Sequence, residues 1–169
     1  VVKNRGTLWF PMALDWAEQY GLTVFANSDV HPARAEAGNA HEPQSATLLL
    51  VRQRSREGAM EALRAGRTVA HFGGMLCGRR EMVATVVKGL TRVDFRSGPN
   101  GAGRVRIENL GPLALTAELK GLDLKPVVLD AHQTALVELA NAPDELSIAW
   151  TNAVIRSTES LVTIHRRLR

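Results

Sequence analysis

The feature that most constrains this chain is a change of pattern near residue 90. Ahead of it, stretches with helical spacing alternate with short apolar runs. Beyond it, short strand-like runs follow one another without helices. A chain of 169 residues holds one ordinary domain or two small ones, and this change divides it into 1–90 and 91–169.

In the first part, Met12, Trp16 and Tyr20 recur every four residues and predict a helix with that row as its buried face. Pro11 suits its first turn, and Gly21 suits the position just past its end. Leu22 to Ala26 (LTVFA) reads as a buried strand, and Asn27 to Pro43 as a polar loop. Thr47 to Val51 (TLLLV) is a second buried strand. Ser55 can cap a helix holding Met60 and Leu63 that stops at Gly66. Thr68 to Phe72 is a third strand. Gly73-Gly74 breaks the chain, and Arg80 to Lys88 reads as a helix with Met82, Val83, Val86 and Val87 on its apolar side. Strands alternating with helices belong to an α/β sheet or barrel, and three strands are too few to complete one.

From Thr91 the periodicity is that of strands. Arg104 to Glu108 alternates polar and apolar, and Leu113, Leu115, Ala117 and Leu119 share one face. Lys125 to Leu129, Thr134 to Leu139, Glu145 to Thr151 and Leu161 to Arg166 follow. Turn chemistry at Gly98-Pro99-Asn100-Gly101, Gly111-Pro112 and Asn141 to Asp144 separates them. The expectation is an antiparallel β-sandwich.

Composition narrows the function classes. Hydrophobic residues are 45% and charged residues 22%, as in globular proteins. The single cysteine, Cys77, excludes an intrachain disulfide framework and a Cys-rich zinc site. No apolar run has the length of a membrane span. The chain opens at Val1, inside sequence that reads as ordered, so a preceding portion is expected. The compartment is left open, with a soluble protein, cytoplasmic or exported, as the expectation. The net charge of +4, carried mainly by arginine, favours anionic partners or is an ordinary arginine-rich surface.

Asp29 and His31 follow closely on LTVFA. Residues i and i+2 of an extended segment point the same way, and Pro32 disfavours a helix at His31. A carboxylate and an imidazole converging beyond a strand's carboxyl end suit Zn, Mn or Fe. The bare tripeptide, which chance often produces, reads on its own as a turn Asp and a loop His, and three or more protein ligands are the rule for a catalytic metal. His41 reads as a solvated loop residue, His71 as a packed strand residue, and His132 and His165 as facing solvent. Arg52, Arg54, Arg56, Arg64, Arg67, Arg79 and Arg80 gather around the second and third strands. Arg54 and Arg56, at a helix start, are candidates for phosphate binding, set against a plain charged surface. Neither a P-loop, nor GxSxG, nor HExxH is present, and no catalytic residue is assigned.

The order of these pieces resembles the closing part of the PHP (polymerase and histidinol phosphatase) superfamily. LTVFANSDVHP is similar to the strand and Ser-Asp-x-His motif near the end of those domains. TLLLVRQRSREGAMEALRAGRTVA is similar to the strand, helix and last strand that follow. Gly78 to Glu81 resembles a helix start in a bacterial subgroup of PHP phosphoesterases that carries a small β-rich domain next, and Trp150 to Ala153 resembles a late strand of it. The resemblance implies the C-terminal part of a distorted, TIM-like β/α barrel followed by an antiparallel β-sandwich. It also implies a phosphate ester hydrolysed by metal-activated water, and two or three Zn, Mn or Fe ions in the complete parent. In it, Asp29 and His31 are metal ligands. The family's opening His-x-His motif and its middle ligands are absent here, so this chain alone is expected to be inactive and to need the upstream part of the same barrel. A nucleic acid substrate, hydrolysed by a PHP-type nuclease, and a non-catalytic scaffold whose sandwich binds a partner or carbohydrate are the alternatives.

Overall fold

The computed structural model describes residues 10–27 and 45–167. The chain forms two compact units, one taking it up to Val83 together with Val154–Glu159, the other Ala84–Ala153 and Ser160–Arg169.

In the first unit, α1 (Met12–Gln19) starts at Pro11, where a missing N–H costs nothing. It ends at Gly21, whose φ of +63° favours glycine. Leu22 N–H reaches back to Ala17 O (2.7 Å) and Gly21 N–H to Glu18 O (3.3 Å), which satisfies two of the helix's last carbonyls. The expected buried face is corrected. Leu14 and Ala17 point inward, at 7% and 6% exposure, while Met12, Trp16 and Tyr20 stay 51%, 45% and 67% exposed. The helix has apolar residues on two sides, and the side with the smaller residues packs on Ala26, Ala70, Phe72 and Cys77.

Leu22 to Ala26 is not a strand in the structure. Its backbone is held by hydroxyls in place of a ladder. Thr68 Oγ1 donates to Val24 O (2.8 Å), and Thr47 Oγ1 both accepts from Ala26 N–H (3.0 Å) and donates to Ala26 O (3.1 Å).

Strands β1 (Ala46–Leu49), β2 (Thr68–Phe72) and β3 (Met75–Cys77) pair antiparallel, with Ala46 opposite His71, Leu49 opposite Thr68 and Ala70 opposite Cys77. The barrel reading implies parallel neighbours. The described residues instead form open sheets, and the local reasons are plain. Helix α2 (Arg56–Arg64) is an excursion from one end of the β1–β2 pair. Leu50 N–H bonds Arg67 O and Arg67 Nε–H bonds Leu50 O, both at 3.0 Å, so the excursion leaves and returns at the same point. β2 turns directly into β3 through Gly73 and Gly74, with φ of +51° and +76°, the two-residue turn that hairpin twist favours. Val154 belongs to this unit as well, and its carbonyl accepts from Gly78 N–H (3.3 Å).

The second unit takes over within helix α3 (Arg80–Leu90), which buries Val83 and Val87 as its spacing requires. Strands β4 (Thr91–Ser97), β5 (Gly103–Asn109), β6 (Leu115–Leu119), β7 (Val127–Leu129), β8 (Thr134–Leu139), β9 (Glu145–Arg156) and β10 (Glu159–Arg166) follow. β4, β5 and β8 form one antiparallel sheet in that order. β7 pairs β6, β6 pairs the part of β9 around Ile148–Trp150, and β10 pairs β9. Each expected strand is present. β4 is an addition, although Val93 and Phe95 alternate there with Arg92, Asp94 and Arg96. Val105, Ile107, Leu115, Ala117, Leu119, Ile148 and Trp150 fill the core. Asn109, buried, holds three strand ends together. Its Nδ2 donates to Leu113 O, Leu129 O and Asp130 O at 2.8–3.2 Å, and its Oδ1 accepts from Gly111 N–H at 3.1 Å.

Candidate functional site

Asp29, His31 and His41 lie outside the described residues. The structure shows what leads to them. Phe72, Ala70 and Cys77 form the floor on which Leu14, Val24 and Ala26 sit. The two threonine hydroxyls then fix the backbone at Val24 and Ala26, and the described chain runs on to Asn27. Thr68 is a buried hydroxyl at the start of β2, beside the buried apolar Val69 and Ala70. Such a group must find a partner, and here it finds the Val24 carbonyl.

His71 lies on the sheet face turned away from Ala26. Opposed residues of antiparallel strands share a face, and alternate residues change face. Thr47, Ala70, Phe72 and Cys77 therefore line the side under Ala26, while Ala46, Val69 and His71 line the other. Burial holds the His71 imidazole below its ordinary pKa. Among the described residues no group of three or more His, Cys, Asp and Glu is placed to hold a metal ion.

Arg54 and Arg56 are exposed on either side of Ser55, the residue that caps α2 by accepting Gly58 N–H at 3.0 Å. A Cβ at Gly58 would fall 2.1 Å from Gln53 O, so only glycine lets the chain fold this tightly over the helix start. Neither arginine has an ion-pair partner among the described residues. Other members of the arginine group are engaged. Arg67 pairs with Glu61, Arg79 Nη2 donates to Gly21 O (2.8 Å), and Arg80 pairs with Glu159. Arg79 thus places a cation against the carbonyl end of α1, where it is favoured.

A cleft of about 310 Å³ in the first unit is walled by Arg79, Arg80, Arg156 and Glu18 over Leu14 and Val24. Its guanidinium groups are spent on protein. Arg156 lies 2.6 Å from Glu18, and Asp15 nearby accepts from Ser157 N–H at 2.9 Å. Hydrogen bonds from Ser157 hold the Asp15 carboxyl below its ordinary pKa. This cleft is a brace for Val154–Glu159.

In the second unit His132 is exposed, as expected, with φ of +59°. His165 differs from the expectation. It is half-buried and meets Thr163 Oγ1 at 2.8 Å, while Trp150 Nε1–H donates to the same hydroxyl at 2.9 Å. Burial lowers its pKa. Cys77 is buried, and burial pushes its thiol up to about 12, which fits a packed residue without chemistry. No helix among the described residues is long and apolar enough to cross a membrane.

No family model matches the sequence, and no curated protein matches it. The fold is similar to a crystal structure from Bacteroides vulgatus, a two-domain protein containing a predicted PHP-like metal-dependent phosphoesterase. The TM-score is 0.83 at 20% identity, over 98% of this chain and 51% of that one. The chain therefore spans about half the length of that protein.

Proposed function

We propose that this chain is part of a divalent-metal-dependent phosphoesterase of PHP-like type, with a barrel portion followed by a small β-sandwich. The observation that carries the reading is the likeness of fold along nearly the whole chain to a two-domain protein containing a predicted PHP-like metal-dependent phosphoesterase. The sequence adds the Asp29-x-His31 pair, which follows a segment held by the hydroxyls of Thr47 and Thr68.

In this reading Asp29 and His31 supply a carboxylate oxygen and an imidazole nitrogen to a divalent ion, which supplies an activated water and charge neutralisation when bound. The described residues do not complete its ligand set, so the remaining ligands come from the rest of the barrel. Thr47 and Thr68 orient the chain entering the site. Arg54 and Arg56, exposed at a helix start and without an ion-pair partner among the described residues, are the candidates for binding the anionic ester. The substrate class is a small phosphate monoester or a nucleic acid end.

The test is hydrolysis of p-nitrophenyl phosphate by the protein as the cell makes it, with manganese or zinc added and then chelated. Metal-dependent turnover is expected, with Arg54→Ala/Arg56→Ala raising KM more than it lowers kcat. Turnover that survives chelation, or none with any metal or phosphate ester, overturns the reading.

A further inference from the structure

The largest apolar side chains of the stretch from Phe10 to Phe25 are uncovered. Met12, Trp16 and Tyr20 form one row down α1, each at least 45% exposed. Phe10 extends the row, its ring centroid 5.4 Å from that of Trp16. Leu22 and Phe25, on the segment that leads from α1 towards Asp29, are each 53% exposed. The other side of the helix is already occupied, by Leu14 and Ala17 against the sheet. A helix that is apolar on both sides belongs between two layers, and the described residues supply one. In the same unit β1 is an edge strand, with β2 as its sole ladder partner among the described residues.

We infer that this row, with Phe10, Leu22 and Phe25, is the seat of the other part of the PHP-like domain, an apolar helix-and-strand layer of the same polypeptide outside these residues. The inference rests on the phosphoesterase reading and says where the absent part sits. Two observations select that occupant over others. The similar solved protein carries about as much chain again beyond the part that superimposes. The segment that joins the apolar row to Asp29 is also the one along which further metal ligands must be brought, because two are fewer than a catalytic metal takes. A second copy of this chain would cover the row but would leave the extra length of the similar protein without a place.

Hydroxyl-radical labelling read by mass spectrometry tests this, comparing the 169-residue chain with the protein as the cell makes it. In the 169-residue chain Met12, Trp16 and Tyr20 should label readily. In the cell's protein Trp16 should label about fivefold or more slowly, the change from 45% exposure to that of a core residue. Trp150, fully buried, serves as the internal standard and should stay unlabelled in both. Equal labelling of Trp16 in the two proteins overturns the inference, as does a gene whose product starts at Val1. Protection of Trp16 in the 169-residue chain together with a dimeric mass overturns it in favour of self-association. The readout is independent of metal. Protection without bound metal leaves the seat standing and removes the phosphoesterase reading. Metal held through Asp29 beside a fully labelled Trp16 does the reverse.

Discussion

Replacing Thr47 by valine keeps the shape of the side chain and removes one hydroxyl. That hydroxyl serves both the N–H and the carbonyl of Ala26, at 3.0 and 3.1 Å, and Ala26 is buried. The variant leaves a backbone donor and acceptor without partners in a place that water reaches poorly. An unsatisfied buried group costs about 1–3 kcal/mol, and taking the low end for two part-buried bonds gives a loss of about 2 kcal/mol. With a urea dependence of about 2 kcal/mol per molar, the midpoint falls by about 1 M. Urea unfolding followed by circular dichroism measures it, with Thr47→Ser as the control that retains the hydroxyl and stays near the parent. The consequence for function follows from position, since Asp29 is three residues beyond Ala26. Freeing that segment should weaken metal binding by about tenfold, the lower end of what loss of a supporting contact costs a metal site. If the valine and serine variants unfold at the same urea concentration, the hydroxyl does not anchor the segment and this reasoning fails.

Three other outcomes are expected. Asn109→Ala removes the amide that serves Leu113 O, Leu129 O and Gly111 N–H in the second unit and should cost about 3 kcal/mol in urea unfolding, whereas a loss below about 1 kcal/mol contradicts the hub assignment. His71 and His165 both have imidazole pKa values lowered by burial, so the unfolded chain takes up protons that the folded one refuses. Their contribution to stability is complete above about pH 6.5 and is lost as pH falls through the folded values, and the double variant to glutamine should flatten the acid-side fall in urea midpoint. Cys77, with its thiol pushed up to about 12, should ignore a thiol reagent at about pH 8 until the protein unfolds, and rapid reaction of the folded protein contradicts its burial.

Much of the architecture is legible in local pattern. The helix stops at Gly21 and Gly66 and the strand alternation from Arg104 onward each follow from backbone chemistry that a few neighbouring residues decide. What resisted reading depends on tertiary choice. Met12, Trp16 and Tyr20 carry the stronger periodicity, yet Leu14 and Ala17 fit the sheet, and no local rule ranks two apolar faces of one helix. LTVFA has strand composition, but its backbone is satisfied by hydroxyls from residues 21 and 44 positions away. The direction of β2 relative to β1 is hidden because a strand, a helix and a strand suit a parallel crossover as well as a hairpin with a helical excursion. Gly73-Gly74, read as a chain break, is a two-residue hairpin turn, and the strand after it was not expected. Of the site, the types and spacing of Asp29, His31, Arg54 and Arg56 are visible in sequence. The threonine anchors became clear only with the fold.

The central claim is that Asp29 and His31 hold a divalent metal. Its most direct test is the metal content of the protein as the cell makes it, measured by inductively coupled plasma mass spectrometry beside Asp29→Ala and His31→Ala. The account predicts bound zinc, manganese or iron in the parent and its loss in both variants, with circular dichroism unchanged. Metal retained at the parent's level by both variants, or a parent that binds none, contradicts it.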